Sequence, residues 1–454
     1  MLNTSSTYFV FLAAVFWLYW AVARWRTPTL AVVLAANYFF YARWDLFYLF
    51  LIPTVSLVDY SCALGMQDSK RVWWRRVLLS ISLIANIGIL ISFKYMPAWD
   101  KDWKWVFPLG LSFYCFQALS YTIDVYRRDA KATESLLVHF TAVSFFPAII
   151  AGPITRVANL IPQLEKPKKL SATDGGRALF LIGLGAMKKL LVADYLAENL
   201  VNRVFDFPKL YSGLEVLAGV YGYALQLYFD FSGYSDIAIG SALLLGLKIP
   251  QNFNMPYAAA NIADFWRRWH ISLSSWLRDY VYFSFPGLRG KLMPYVALTF
   301  TMVIGGFWHG PTWNFVIWGA LHGLGLGICR AWQAWRGANK WDSAVGRGMA
   351  TFWTVQFVCF GWIFFRASSL ENAVDILTQI CSLTMSTANL SWALLTIAAI
   401  GATGHYAPRK WLDASESSFV RVPFFVQALL LAMLAMSIKY VAATGNAPFV
   451  YSQF

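Results

Sequence analysis

The sequence predicts an all-α polytopic membrane protein, and three observations predict it. Hydrophobic residues make up 58% of the 454-residue chain and charged residues only 13%, a balance that a soluble globule of this size cannot hide, so lipid must be the solvent. Aromatic residues reach 18%, with 22 Trp and 23 Tyr, the side chains that favour water–lipid boundaries because each joins an apolar body to a polar tip. A span needs roughly 20 apolar residues, and about ten to twelve usable stretches occur, some short enough to be re-entrant. The termini leave no room for a large soluble domain. The expectation is therefore one membrane domain over 1–454, with core motifs in 107–330 and C-terminal spans and tail in 348–454.

The first apolar run begins at Tyr8 and ends at Arg24 and Arg26 with no small-residue cleavage pattern. It reads as an uncleaved span, not a signal peptide. By the positive-inside rule, Arg24 and Arg26 lie in the cytoplasm and the N-terminus outside. Spans at about 30–41 and 46–63 return the chain to Lys70, Arg71, Arg75 and Arg76. A further pair at about 77–93 and 106–123, joined by an outer loop at 95–104, returns it to Arg127, Arg128 and Lys131. Charge pattern and parity agree on the same side. The net charge of +14 is thus topological and does not call for nucleic acid as a partner. The five cysteines are scattered without paired spacing, which suggests neither a disulfide framework nor a cysteine metal site.

The middle of the chain is different. Its apolar runs are interrupted by Pro, Gly and isolated charges, as in FFPAIIAGPITR (145–156), YFDFSGYSD (228–236) and FWHGPTW (307–313). Irregular backbone at membrane depth is tolerated only where protein or a watery cavity satisfies it. Asp230 and Asp236 are therefore site candidates, with helix capping or bonding to a broken segment as the structural alternative. The stretch ADFWRRWHISLSSWLRDYVY (263–282) reads as an in-plane helix at the cytoplasmic interface. Trp266, Trp269, His270, Leu273, Leu277 and Tyr280 share one face and Arg268, Ser272, Ser275 and Asp279 another. Its arginines, Arg267, Arg268 and Arg278, suit either lipid phosphates or the phosphates of a nucleotide-bearing donor.

Five histidines are present. His139 sits in a plain apolar context and His405 in a loop with Arg409 and Lys410, so both read as structural or solvated. His270, His309 and His322 occur in segments dense with Trp, Gly and charge, where an imidazole exchanges protons near neutral pH. No HExxH or Cys–His cluster supports a metal site, and no GxSxG elbow supports an acyl-serine mechanism. Proton transfer by histidine is the chemistry that survives.

The motifs FPLGLSFYCFQALSYTIDVYRRD (107–129), SFFPAIIAGPITR (144–156), LQLYFDFSGYSDIAIG (225–240), NFNMPY (252–257), FWRRWHISLSSWLRDYVY (265–282) and GGFWHGPTWNFVIWGALHG (305–323) together resemble the membrane-bound O-acyltransferase family, in particular its alginate O-acetyltransferase branch. The resemblance implies helices around a central tunnel connecting the two membrane faces, with His309 as catalytic histidine and His270 as the second signature residue facing it. It implies no bound cofactor, an acetyl-CoA or other acyl-thioester donor from the cytoplasm, and a hydroxyl acceptor on the far side. Arg267, Arg268, Arg278 and Trp308 are then candidates for donor binding, and Asp230, Asp236, Asn254 and His322 for tunnel or structural support. A thioester carbonyl is already electrophilic, so the enzyme needs chiefly a base, donors for the oxyanion and reactants held in line.

Where the branch commonly carries a Leu-Gly-Gly-Asn run, this chain has FSFPGLRG (283–290), which changes a loop near the donor side. After a basic loop at 405–421, a last span at about 423–441 delivers the tail outside. The tail PFVYSQF (448–454) resembles the tyrosine-bearing ending of the branch, so Tyr451 is an acyl relay or partner contact, or alternatively an interface anchor. The resemblance places the protein in the bacterial inner membrane, acting for an exported polysaccharide through an extracytoplasmic transferase partner. A D-alanyl, lipid or protein acyltransferase of the same family, and a transporter with discontinuous helices, are the other readings.

Overall fold

The computed structural model describes residues 5–100, 102–166, 169–336 and 343–441, and every regular element among them is helical. Among the described residues, four helical segments are long and apolar enough to cross a membrane, Phe47–Gln67, Val72–Trp99, Trp313–Arg336 and Ala344–Arg366. Shorter apolar helices run over Ser6–Val22, Leu136–Ile149 and Phe424–Tyr440. The protein is an all-α polytopic membrane protein. Fewer helices reach full length than the apolar stretches suggested, because the middle of the chain breaks into pieces and π-helical turns, such as Lys188–Ala193, Ala197–Val201 and Leu277–Val281.

The chain divides into two compact units, Met1–Gly185 with Tyr234–Gln251, and Ala186–Gly233 with Asn252–Phe454. In the first, the Ser6–Val22 helix is capped by the Ser5 hydroxyl, which accepts from Tyr8 N at 3.2 Å. One of its faces buries Tyr8, Phe11, Leu12 and Val15, while Val10, Trp17 and Leu18 face outward. A helix apolar on both faces suits a lipid surround. Tyr8 donates to Ser241 Oγ at 2.8 Å and Trp20 to the Leu244 carbonyl at 3.0 Å, which fixes the first helix.

Two buried polar groups of this unit are held by several partners each, which offsets the cost of removing them from water. Asp59 accepts from Ser82, from Asn86 at 2.9 Å and from Thr122 at 2.8 Å, joining three helices. Arg75 is expected from the charge pattern to mark a cytoplasmic loop. It is instead buried, and donates to the carbonyls of Met66 at 2.8 Å, Val125 at 3.2 Å and Tyr126, closing two helix C-termini. The helix expected over 106–123 runs over Leu111–Arg127. Gly110 precedes it at φ +77°, where an added Cβ would lie 3.0 Å from Ile150 Cα, so only glycine admits this turn.

The segment expected to be broken around Asp230 and Asp236 is an uninterrupted helix, Gly213–Leu244, with Asp230 in the second unit and Asp236 in the first. Neither aspartate caps a helix end. The tolerance has a visible cause at Asp230: Lys189 Nζ lies 2.7 Å from its carboxylate and 2.7 Å from that of Asp194, all three nearly fully buried. The opposite charge takes the place that a broken helix or water was expected to fill. The basic loop expected at 405–421 is largely a helix, Arg409–Arg421, with no buried residue. His405 lies in the preceding helix, Trp392–Tyr406, and is buried, not solvated. Its Nε2 accepts from Tyr257 N at 3.2 Å.

Candidate active site

Two helices, Met293–His309 and Trp313–Arg336, form a tight hairpin. Glycine makes the closeness feasible. A Cβ at Gly306 would strike the Phe315 carbonyl, one at Gly319 the Met302 carbonyl, and one at Gly323 would come within 2.6 Å of Thr299 Cα. Backbone thus packs against backbone along the seam, in the manner of small-residue interfaces between membrane helices. His309 ends the first helix, and Gly310 continues in extended conformation before Pro311. Asn314, at the start of the second helix, donates to the Ala367 carbonyl at 2.7 Å and ties the turn to the end of Ala344–Arg366.

His309 is 4% exposed. Its ring is walled by Phe315 at 6.1 Å, Trp318 at 5.2 Å and Phe365 at 4.9 Å between centroids. Trp308 also lies against it, at 4.8 Å. Trp308 is buried and also neighbours the His270 ring, at 6.3 Å. The rings of His309, Trp308 and His270 therefore form one continuous aromatic row. At its far end Phe231 meets His270 at 4.6 Å.

The single in-plane helix expected over 263–282 is interrupted at His270. Ile262–Arg268 and Ile271–Trp276 are separate helices, and a π-helical turn follows. His270 takes the left-handed conformation, φ +42°, at a cost of roughly 1–2 kcal/mol for a residue with a Cβ. The six residues assigned to the apolar face are all buried, but Ser272, assigned to the polar face, is buried too. The break accounts for it: the left-handed residue His270 resets the helical phase, and Ser272 then faces Asn252. Its hydroxyl donates to Asn252 Oδ1 at 2.8 Å and its N–H to the same atom at 3.2 Å.

The other expected site residues fall into distinct places. Arg268 is held by Asp264 at 2.9 Å, Arg267 reaches the same carboxylate at 3.6 Å, and Arg278 pairs with Asp279 at 2.7 Å. Arg267 and Arg278 are exposed, whereas Trp308, grouped with them in the sequence reading, stands between the two histidines. His322 accepts from Trp266 Nε1 at 3.3 Å through Nδ1 and is enclosed by Trp318 and Phe357. Gly361 makes room for it, since a Cβ there would come 2.9 Å from His322 Nε2. Asn254 contributes main-chain contacts: its N–H donates to the Arg268 carbonyl at 2.9 Å and its own carbonyl accepts from Arg268 at 3.5 Å. Asp236 is half-buried inside its helix. Tyr451 lies outside the described residues.

Three residues of this region were not singled out from the sequence. Lys189 had a signal, a lysine pair inside the apolar run GLGAMKKLLVAD, but its partners are not both local. Phe231 and Asn252 carried none beyond membership in their motifs. Chemically, the arrangement provides two imidazoles in a desolvated aromatic setting, where a base and a developing charge interact without screening by bulk water.

A model of the membrane-bound O-acyltransferase family, MBOAT, matches residues 133–369, a stretch that contains His270, His309 and the glycine seam. The chain is similar to the peptidoglycan O-acetyltransferase of Helicobacter pylori, 35% identical over 83% of this chain and 79% of that protein. It is similar to the probable alginate O-acetylase AlgI of Azotobacter vinelandii, 33% identical over 99% of each chain. With the teichoic acid D-alanyltransferase of Bacillus subtilis it shares 30% identity over 58% of this chain and 70% of that protein. The chain belongs to the membrane-bound O-acyltransferase family and is an O-acyltransferase.

Proposed function

We propose that the protein carries an acetyl group from a cytoplasmic thioester, acetyl-CoA or another acyl thioester, through the bacterial inner membrane for O-acetylation of an exported polysaccharide. The observation that carries the proposal is the buried row His309–Trp308–His270. The relatives named for peptidoglycan and alginate O-acetylation support the acetyl group and the polymeric acceptor. In this reading His309 accepts the proton of the acceptor hydroxyl as its oxygen attacks the thioester carbonyl. The tetrahedral intermediate then collapses, the carbon–sulfur bond breaks, and the proton returns to the departing thiolate. General base catalysis supplies on the order of 10² to 10⁴-fold, and alignment of the two reactants supplies a further large share.

His270 orients or stabilises the reacting groups from the other end of the row, and Trp308 between them bounds the acyl site. Arg267, Arg268 and Arg278 receive the donor's phosphates on the cytoplasmic side, while both termini are extracytoplasmic. The first acceptor is a partner acetyltransferase outside the membrane, or Tyr451 as a relay to it. The D-alanyltransferase relative supports a second reading, in which D-alanine is the transferred acyl group.

Protein in lipid nanodiscs, supplied with acetyl-labelled thioester and acceptor, is expected to release thiol. His309→Ala should fold, insert and release none above background. Tyr451→Phe separates relay from anchoring, because only a relay needs the hydroxyl. Mass spectrometry of envelope polymers from a deletion strain should show lost O-acetyl groups. Undiminished acetylation there would overturn the proposed substrate, and full thiol release by His309→Ala would overturn the mechanism.

A further inference from the structure

We infer that Asn252 is a positioning residue for His270, an inference that rests on reading His270 as part of the acyl-transfer site. The two residues between the helices Ile262–Arg268 and Ile271–Trp276 are Trp269 and His270, and the segment 252–254 brackets them. On one side Asn254 N donates to the Arg268 carbonyl at 2.9 Å, and on the other Ile271 N donates to the Asn252 carbonyl at 2.9 Å. The Asn252 side chain then fastens the next residue, its Oδ1 accepting from both the N–H and the hydroxyl of Ser272. Phe253, between the two brackets, packs on Trp269 and on Phe231, each at 5.1 Å.

Asn252 is fully buried, so these bonds face no competition from water. They hold the backbone on the C-terminal side of a histidine whose φ of +42° is rarely adopted by a residue with a side chain. A conformation of that kind persists only where its surroundings impose it, and functional sites are where such impositions cluster. The result is an imidazole set between Phe231 and Trp308. Without the Asn252 amide, the start of the Ile271–Trp276 helix loses two of the bonds that hold it, and the imidazole one residue earlier shifts out of the row that leads to His309. Asn252 touches no reacting atom in this account and acts only through His270.

The test is a double-mutant cycle on the full-length protein in nanodiscs, reading kcat and KM for thiol release, with His270→Gln as the second background. Asn252→Ala is expected to lower kcat on the order of 10²-fold, as a displacement of about 1 Å can do, with a much smaller change in KM. In the His270→Gln background the same substitution should cost nothing further, since the residue it positions is already gone. Should Asn252→Ala fold poorly, Ser272→Ala removes one donor to Oδ1 and is expected to lower kcat by a smaller factor, again only when His270 is present. Equal losses in both backgrounds would make Asn252 merely structural and overturn the inference while leaving His270's role intact. A wild-type rate for His270→Gln would overturn the role of His270 itself, and the inference with it.

Discussion

Gly306→Ala is the most direct perturbation of the hairpin that presents His309. An alanine Cβ there would fall on the Phe315 carbonyl oxygen, 3.0 Å from its carbonyl carbon and 3.3 Å from Gly319 Cα. None of these is the tip of a flexible side chain, so no rotamer change relieves the clash. Carbon contacts settle at about 3.5–4.0 Å, and the helices Met293–His309 and Trp313–Arg336 must part by roughly 1 Å to restore that distance. Overpacking of this kind costs about 1–3 kcal/mol. The displaced turn carries His309 three residues on, and an error of about 1 Å in a reacting group costs on the order of 10²-fold in rate. Thermal unfolding in detergent and thiol release in nanodiscs measure the two effects separately. Gly348→Ala is the control, since a Cβ there meets nothing within 4 Å. It sits in the helix Ala344–Arg366, where the exchange is expected to stabilise by about 0.5–1 kcal/mol. A Gly306→Ala protein with wild-type melting would refute the packing argument. Lowered melting with an undiminished rate would refute the link between the seam and His309.

Two further substitutions probe the buried polar groups of the second unit. Lys189→Met leaves the carboxylates of Asp194 and Asp230 without the ammonium that lies 2.7 Å from each. The expected loss is about 3–5 kcal/mol, with much of it recovered in the triple variant Lys189→Met, Asp194→Asn, Asp230→Asn; failure of the triple to melt above the single would sink the electrostatic account. Catalysis should fall with Lys189→Met as well, because Phe231, next to Asp230 in the helix, packs against His270. Trp266→Phe removes the donor to His322 Nδ1, and a buried acceptor stripped of its partner costs about 1–3 kcal/mol. Unchanged thermal unfolding would show that the indole N–H contributes nothing to holding His322.

The class of fold was legible because lipid solvation acts on the whole composition, and no local detail reverses it. The break after His309 was legible for a different reason: in FWHGPTW the glycine and proline that end the helix stand next to it in the sequence. The interfacial stretch was not, because Trp266, Trp269, His270, Leu273, Leu277 and Tyr280 satisfy a helical period whether or not the helix breaks at His270. The break there is bonded by Asn252, about twenty residues earlier, and periodicity within 263–282 carries no trace of it. Asp230 failed in the opposite direction. A carboxylate in an apolar run looks like a break, yet the helix Gly213–Leu244 continues through it, since the compensating charge comes from Lys189, about forty residues away. Both errors share one physical cause: propensity and period report what a segment does alone, whereas a buried polar group is set by the partner that satisfies it. In this protein such partners are Asn252, which bonds the residues following His270, and Lys189, which pairs with the residue before Phe231, so the surroundings of His270 rest on pairing that no local period reports.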